Sequence, residues 1–381
     1  MTGSSFDAVV IGAGIAGASV AACLAQDRRV ALLEREHHAG YHATGRSAAL
    51  FSETYGNAVV RVLSRASRAF LFSPPADFCE HPIAVPRGAL HVARKDQTQC
   101  LEALLAEPDM AAHIRMVDAA AVERLCPLLR SGYAAAGLYE ANARDVDVHG
   151  LHQGYLRALG AAGGLLITDA GVQTLERVRG TWRLQTPAGT FEAAIVVNAA
   201  GAWADHIAAL AGIAPLAIIP CRRTAVLVDV PDAEAIRDMP LVIDAEERFY
   251  FKPEAGKLLV SPADETPSPP CDIQPEEMDV AIAIDQVEHA TTLRVARVVR
   301  KWAGLRSFAP DRSPVIGFDP QADGFFWLAA QGGYGIQTAP AAARLAAALI
   351  MAKNVPDDLA AHGVTIDAVS PRRLGSDYST G

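Results

Sequence analysis

The sequence predicts an α/β chain (α+β overall), with a Rossmann-like nucleotide-binding domain and a second, mostly antiparallel β domain. Three stretches predict this. Residues 6–36, FDAVVIGAGIAGASVAACLAQDRRVALLERE, read as strand, glycine turn, helix and strand. TFEAAIVVNAAGAWA (190–204) repeats the strand–glycine–helix turn. Residues 216–262 alternate in strand fashion through LAIIPCRRTAVLVDV, RFYFKP and GKLLVSP.

Taken in order, FDAVVIG is a continuous apolar run, as in a parallel strand buried on both faces. IAGASVAACLAQ is small and apolar, as suits a helix lying close on a sheet, and RRVALLERE gives the second strand. GYHATGRSAA (40–49) is a glycine-rich polar loop, and NAVVRVLSRASRAFLF (57–72) has helical periodicity. From about 84, short strands (ALHVAR, AAGLYE) alternate with the helices QTQCLEALLAE and DAAAVERLCPLL. VDVHGLHQGYLRALGAAG (146–163) is helical again, and LLITDAGVQTLERV and TWRLQTPAG form hairpin strands. After the 216–262 strands comes the helix PEEMDVAIAIDQVEHATTL. WAGLRSFAPDRSPVIG (302–317), FFWLAA, the turn QGGYG and a long Ala-rich helix close the chain. This order predicts a nucleotide domain assembled from 1–85, 145–215 and 300–381, with a substrate domain from 86–144 and 216–299.

Bulk properties narrow the function. At 381 residues the chain holds about two to three domains' worth of sequence. With 51% hydrophobic and 20% charged residues it can bury large cores, so disorder is excluded. A net charge of −9 excludes a basic nucleic-acid footprint and a polybasic membrane anchor. Six scattered cysteines without a C-x-x-C fit a reducing compartment and no zinc site. The N-terminus lacks a basic n-region. The apolar run at 345–352 is too short to span a bilayer, so the expectation is a cytoplasmic protein without stable membrane insertion.

Gly12, Gly14 and Gly17 have G-x-G-x-x-G spacing. The first makes the turn, the second admits a pyrophosphate, and the third lets helix and strand touch. The amides of Ile15 and Ala16 open the helix, whose N-terminus favours anions. Glu34, followed by Arg35, ends the next strand and suits ribose hydroxyls. The pattern alone does not separate NAD from FAD, and three further features favour a flavin dinucleotide. The loop Thr44, Gly45, Arg46, Ser47, Ala48 and Ala49 offers amides and polar side chains to a second part of a long cofactor. Ala200, Gly201 and Trp203 repeat the turn geometry. Gly332, Gly333, Tyr334, Gly335, Ile336, Gln337 and Thr338 open the final helix, whose dipole suits an anionic ring. Val172 and Gly304 complete the expected lining. His149 and His152 have i, i+3 spacing but no third ligand, so they read as surface-helix residues and no metal is expected. No G-x-S-x-G is present, which leaves a hydrolase without its nucleophile elbow.

VVIGAGIAGAS, LERE, GYHATGRSAA, VNAAGAW, WAGLRSFAPD and AAQGGYGIQT together resemble the D-amino-acid oxidase superfamily of FAD enzymes, the glycine oxidase and sarcosine oxidase group. The likeness runs nearly end to end and is strongest to the bacterial D-arginine dehydrogenase type. It implies noncovalent FAD, since the family's attachment cysteine is lacking, and a substrate sheet roofing the flavin ring. It implies that Arg306, Arg223 and Tyr250 hold a substrate carboxylate, with Tyr55 on a loop over the site. The backbone from Gly333 through Tyr334 and Gly335 to Ile336 meets substrate and flavin. Tyr55, Tyr250 and Arg306 are the implied catalytic set. The activity implied is oxidative deamination of D-amino acids by hydride transfer from Cα to flavin N5, with quinone or oxygen as acceptor.

Two positions depart from that pattern. Ala89 stands where the D-arginine type has an acid for the cationic tail, and Leu50 replaces a histidine near the flavin. Both remove polarity, so neutral or apolar D-amino acids are expected over D-arginine. Glu53 is the remaining acid that could serve a tail. Alternatives are another small amine or 2-hydroxy acid (sarcosine-, proline- or hydroxyglutarate-like) or a flavin-carrying subunit without turnover. Arg306 raises a separate question: whether it meets a ligand or pairs with a neighbour such as Asp311, and whether Arg222 takes the place of Arg223 if the register shifts.

Overall fold

The computed structural model describes residues 4–375, so the outermost residues of the expected domain extents lie outside the described residues. Val9, Val10 and Ile11 in the strand Ser4–Ile11 are buried, and its parallel neighbours Val30–Leu33 and Gly189–Asn198 extend it into an 8-stranded sheet. Leu165–Ile167 closes one edge, and the meander Thr174–Val178, Thr181–Thr186 lies at the other. Phe325–Ala329 joins Gly189–Asn198 in parallel and Val315–Phe318 antiparallel. The helices Ile15–Leu24 and Gly335–Ile350 pack on this sheet through small residues, Ala18, Ala21, Ala339, Ala342 and Ala343 among them. Small side chains let the backbones approach, which is why these segments read as alanine-rich helices.

The second domain is a 9-stranded, mostly antiparallel sheet, with Ala89–Ala93 and Leu241–Asp244 as its parallel pair. One face buries Val226, Phe251 and Val260 against Val280, Ala283 and Val287 of the helix Glu277–Ala290. The other face turns toward the nucleotide domain. Register fixes what that face carries. Cys221 lies opposite Arg306, and Arg223 lies opposite Gly304, on the paired strands Ile219–Val228 and Val298–Phe308. Alternate residues share a face, so Arg223 and Arg306 point the same way and Arg222 points away.

One boundary shifts and one small sheet is new. The domain boundary at 300 cuts through Val298–Phe308, which pairs along its length with the antiparallel sheet, so the chain returns to the nucleotide domain only after 308. A small third sheet of Leu50–Phe51, Arg144–Val146 and Ala84–Pro86 joins the excursions and has no clear sequence signal at two or three residues per strand. Among the described residues no helix is long and apolar enough to cross a membrane.

Candidate active site

A cavity of about 750 Å³ runs between the two sheets, from Gly12 and Glu34 at one end to Tyr250 and Arg306 at the other. At the glycine end the backbone sets the shape. Gly12 has φ +99°, and a Cβ there would lie 2.6 Å from the Ala199 carbonyl oxygen. A Cβ on Gly17 would lie 1.8 Å from the Gly12 oxygen, so the third glycine serves helix–strand contact outside the cavity lining. Glu34 accepts from the Ala13 amide at 2.9 Å, and Thr44 Oγ1 accepts from the Ile15 amide at 2.9 Å. His152 is buried and donates from Nε2 to the Ala13 carbonyl at 2.9 Å. Burial lowers its pKa. His152 is therefore a prop of the glycine turn and not a surface-helix residue. His149 is exposed, and no metal-holding cluster occurs among the described residues.

Most of the expected dinucleotide residues line this cavity: Gly12, Gly14, Ile15, Ala16, Glu34, Arg35, Thr44, Arg46, Ser47, Ala48, Val172, Ala200, Gly201, Trp203, Gly304, Gly332, Gly333, Gly335 and Ile336. Gly45, Ala49, Tyr334, Gln337 and Thr338 do not. Gln337 is buried, accepting from the Ser52 amide and donating to Ser64 Oγ, and Thr338 donates to the Tyr334 carbonyl. Arg46 is spent on the protein: it donates to the carbonyls of Ile273 and Ala303 at 2.9 and 3.1 Å and pairs with Asp272. Trp302 Nε1 donates back to the Arg46 carbonyl at 3.0 Å. The loop 40–48 is thereby strapped to the second domain. Tyr41 and His42 of the 40–49 loop also line the cavity, as do Asp169, Gly171, Cys271 and Ile273, which were not anticipated because they reach it from separate loops.

At the other end the antiparallel sheet presents one face. Tyr250 pairs with Ile243 and Ser261, and Ile243 lies beside His91, so Ala89, Ile243, Tyr250, Arg223 and Arg306 share that face. Arg306 Nη1 donates to the Tyr55 hydroxyl at 3.0 Å. It has no carboxylate within ion-pair distance among the described residues, since Asp311 pairs with Arg373 at 2.7 Å. Burial opposes the charge on Arg306, yet the phenolic oxygens of Tyr55 and Tyr250 outweigh it and raise its pKa above the ordinary guanidinium value. A Cβ on Gly333 would lie 2.7 Å from Arg306 Nη1, so a glycine there lets the guanidinium rest against the turn. Tyr55 meets Tyr334 edge-on at 4.9 Å, and burial, with Tyr55 beside it, pushes the Tyr334 hydroxyl up to about 12.

Arg223 lines the cavity but already has partners: Glu265 at 2.9 Å and the Asp264 carbonyl at 2.8 Å. Arg222 is buried on the opposite face, against the helix Glu277–Ala290, paired with Glu276 and with Asp279 at 3.0 Å, which settles the register question. Ala89 is buried in a small apolar cluster with Leu241 and Ala143, against which Leu50, Ile243 and Tyr250 pack. Glu53 lies outside the cavity lining, buried beside His113 at 3.3 Å and Arg68 at 3.6 Å, so it is not placed to serve a substrate tail. Sequence reasoning also missed Glu140. Its buried carboxylate accepts from Ser52 Oγ (2.7 Å), the Glu53 amide (2.7 Å) and Thr54 Oγ1 (2.6 Å), fixing the segment that ends in Tyr55. Burial raises its pKa.

Residues 7–349 match the family described as FAD dependent oxidoreductase (DAO). The chain is 28% identical over 264 residues to the mitochondrial dimethylglycine dehydrogenase of Mus musculus, covering 64% of this chain and 30% of that protein. It thus spans about a third of that relative's length. It is 27% identical over 240 residues to the glycine oxidase of Geobacillus kaustophilus, covering 63% of this chain and 62% of the relative. The crystal structure of that glycine oxidase superposes with a TM-score of 0.79, covering 95% of this chain and 99% of the other at 22% identity, which shows a shared fold. The residues fit an FAD: Gly12 and Gly14 keep side chains off the turn. A Cβ on Gly201, in the cavity wall, would meet nothing within 4 Å, so glycine there leaves open space.

Proposed function

The chain belongs to the FAD dependent oxidoreductase (DAO) family, and from that premise we propose that it oxidises small amino acids with neutral side chains, D-amino acids foremost. The amino acid would lose a hydride from Cα and a proton from nitrogen, and the resulting imino acid would take up water to give a 2-oxo acid and ammonia. Bound FAD supplies the two-electron acceptor for that hydride, and quinone or oxygen then reoxidises it.

The observation that carries this reading is Arg306, a cation set in the cavity wall with a phenol but, among the described residues, no acid as partner. Removing one partner from a buried pair costs about 3–5 kcal/mol, so a lone guanidinium there suits an anion that comes and goes. A carboxylate matches it bidentately, each charge-assisted bond contributing about 1.5–3 kcal/mol. Tyr250 and Tyr55 add hydroxyls beside it, Arg223 a second cation on the same face. Anchoring the carboxylate sets Cα in one place, and such positioning is a large share of catalysis. Ala89 packs in an apolar cluster with Leu50, Ile243 and Tyr250, and alanine there offers no carboxylate of its own to a cationic tail, which supports neutral side chains over D-arginine.

The test is an anaerobic panel of D- and L-amino acids, 2-hydroxy acids and N-methyl amino acids, read by bleaching of the flavin absorbance. D-leucine or D-phenylalanine should bleach fastest. A kcat/KM for D-arginine more than about tenfold higher would sink the neutral-tail reading, and no bleaching by any amine would sink the activity. A second reading is favoured by the names of the relatives: glycine or an N-methylated glycine as substrate. Under it, sarcosine or N,N-dimethylglycine outruns every primary D-amino acid in the same panel.

A further inference from the structure

Arg223 and Arg306 lie on one sheet face, yet among the described residues only Arg223 has an internal carboxylate. Glu265 Oε1 accepts from Arg223 Nη2 at 2.9 Å. Arg312 Nη2 donates to both oxygens of the same carboxylate, at 3.1 and 2.9 Å, while its guanidinium lies 3.9 Å over the Phe308 ring. Arg223 is held independently by its Nε bond to the Asp264 carbonyl, 2.8 Å. So neither partner depends on the other for its place: Arg223 stays aimed without Glu265, and Glu265 stays anchored without Arg223. The Arg223–Glu265 pair is partly buried, with side chains 12% and 33% exposed, while Arg312 is about half exposed; solvent reaches Glu265 in both pairs, and a pair that water reaches is weak.

We infer that Glu265 is an internal competitor for the substrate's carboxylate. It engages Arg223 between substrates and cedes it to an arriving carboxylate, resting then on Arg312 alone. One carboxylate replaces another at Arg223, so no charge is stranded and no bond is made or broken. The inference rests on the reading of Arg306 and Arg223 as a carboxylate clamp. Its consequence is that affinity for small acids is held down and release of an acidic product is eased.

The test titrates the FAD-loaded protein with 4-methylpentanoate, which is leucine without its amino group, reading the flavin spectrum and the heat of binding. Glu265→Gln should tighten binding about fivefold, the scale of an ion pair that solvent reaches from one side. Arg312→Gln should weaken it about threefold, because Glu265 then leans on Arg223. The opposite signs separate competition from a mere structural role, in which both variants would weaken binding. Loss of affinity in both, or no change in Glu265→Gln, overturns the inference. Glu265→Ala gives the tightening by a second route should the first variant fold poorly. A wild-type protein that binds no small carboxylate overturns the clamp itself and this inference with it, and that result is visible before any variant is made.

Discussion

The two ends of the cavity are built by different means. The dinucleotide end is made of backbone: Gly12 at φ +99°, the Gly17 contact, and amides tied down by Glu34 and Thr44. The proposed substrate end is made chiefly of side chains from four separate stretches, Tyr55, Arg223, Tyr250 and Arg306, beside the Gly332–Gly335 turn. A backbone site depends on a few local torsions, and at Gly12 and Gly17 it tolerates no added atom. A side-chain site depends on strand register and on far-off anchors, and its parts can fail one at a time. The difference predicts that damage at the first end removes the cofactor, whereas damage at the second spares it.

The largest expected effect is Gly12→Val. The branched side chain meets the Ala199 carbonyl from a backbone conformation it rarely adopts, and the purified protein should carry no flavin absorbance. Next, Arg306→Gln should keep full FAD content while kcat/KM falls about 10²–10³-fold, the equivalent of one or two charge-assisted bonds. If Arg306→Gln also loses FAD, the two ends are not separable as described. Tyr55→Phe should cost about tenfold in kcat/KM. Glu140→Gln should cost about as much, since an amide that keeps its oxygen on the Glu53 N–H turns its NH₂ to Ser52 Oγ and Thr54 Oγ1 and takes away the acceptor they share, and it should add little on top of Tyr55→Phe. Additive losses would deny that Glu140 acts through Tyr55. Ala89→Glu should raise the ratio of D-arginine to D-leucine turnover about tenfold, measured as paired kcat/KM values.

The smallest effect is on pH. His152 has a folded pKa below its ordinary 6.5, so the unfolded chain binds the proton more readily. Its contribution is complete above pH 6.5 and is lost as the solution is acidified below that value. Thermal melts across that window should show a shallower fall for His152→Gln than for the parent, and an unchanged slope would remove His152 from its place under the glycine turn.

The same contrast explains what the sequence alone could disclose. Gly12, Gly14, Gly17 and Glu34 were legible because their chemistry is written within two dozen residues. Arg306 and Tyr250 became legible only through likeness to a family. Arg222 and Arg223 stayed ambiguous until the pairing of Cys221 with Arg306 fixed the face. Glu265, 42 residues from Arg223, and Glu140, 88 from Ser52, left no local trace of their partners. His152 read as a surface residue because helical periodicity does not report what crosses above a helix. The boundary at 300 failed because a strand's texture does not say which sheet will claim it.

The strap formed by Arg46, Asp272, Ile273, Ala303 and Trp302 ties the loop over the cavity to the second domain with bonds made between protein groups. The clasp therefore governs residence time more than equilibrium strength. Unfastening it by Arg46→Ala should quicken exchange of bound FAD for free FAD far more than it alters how much is held, so that loading in the native protein reflects the history of folding rather than the moment's supply.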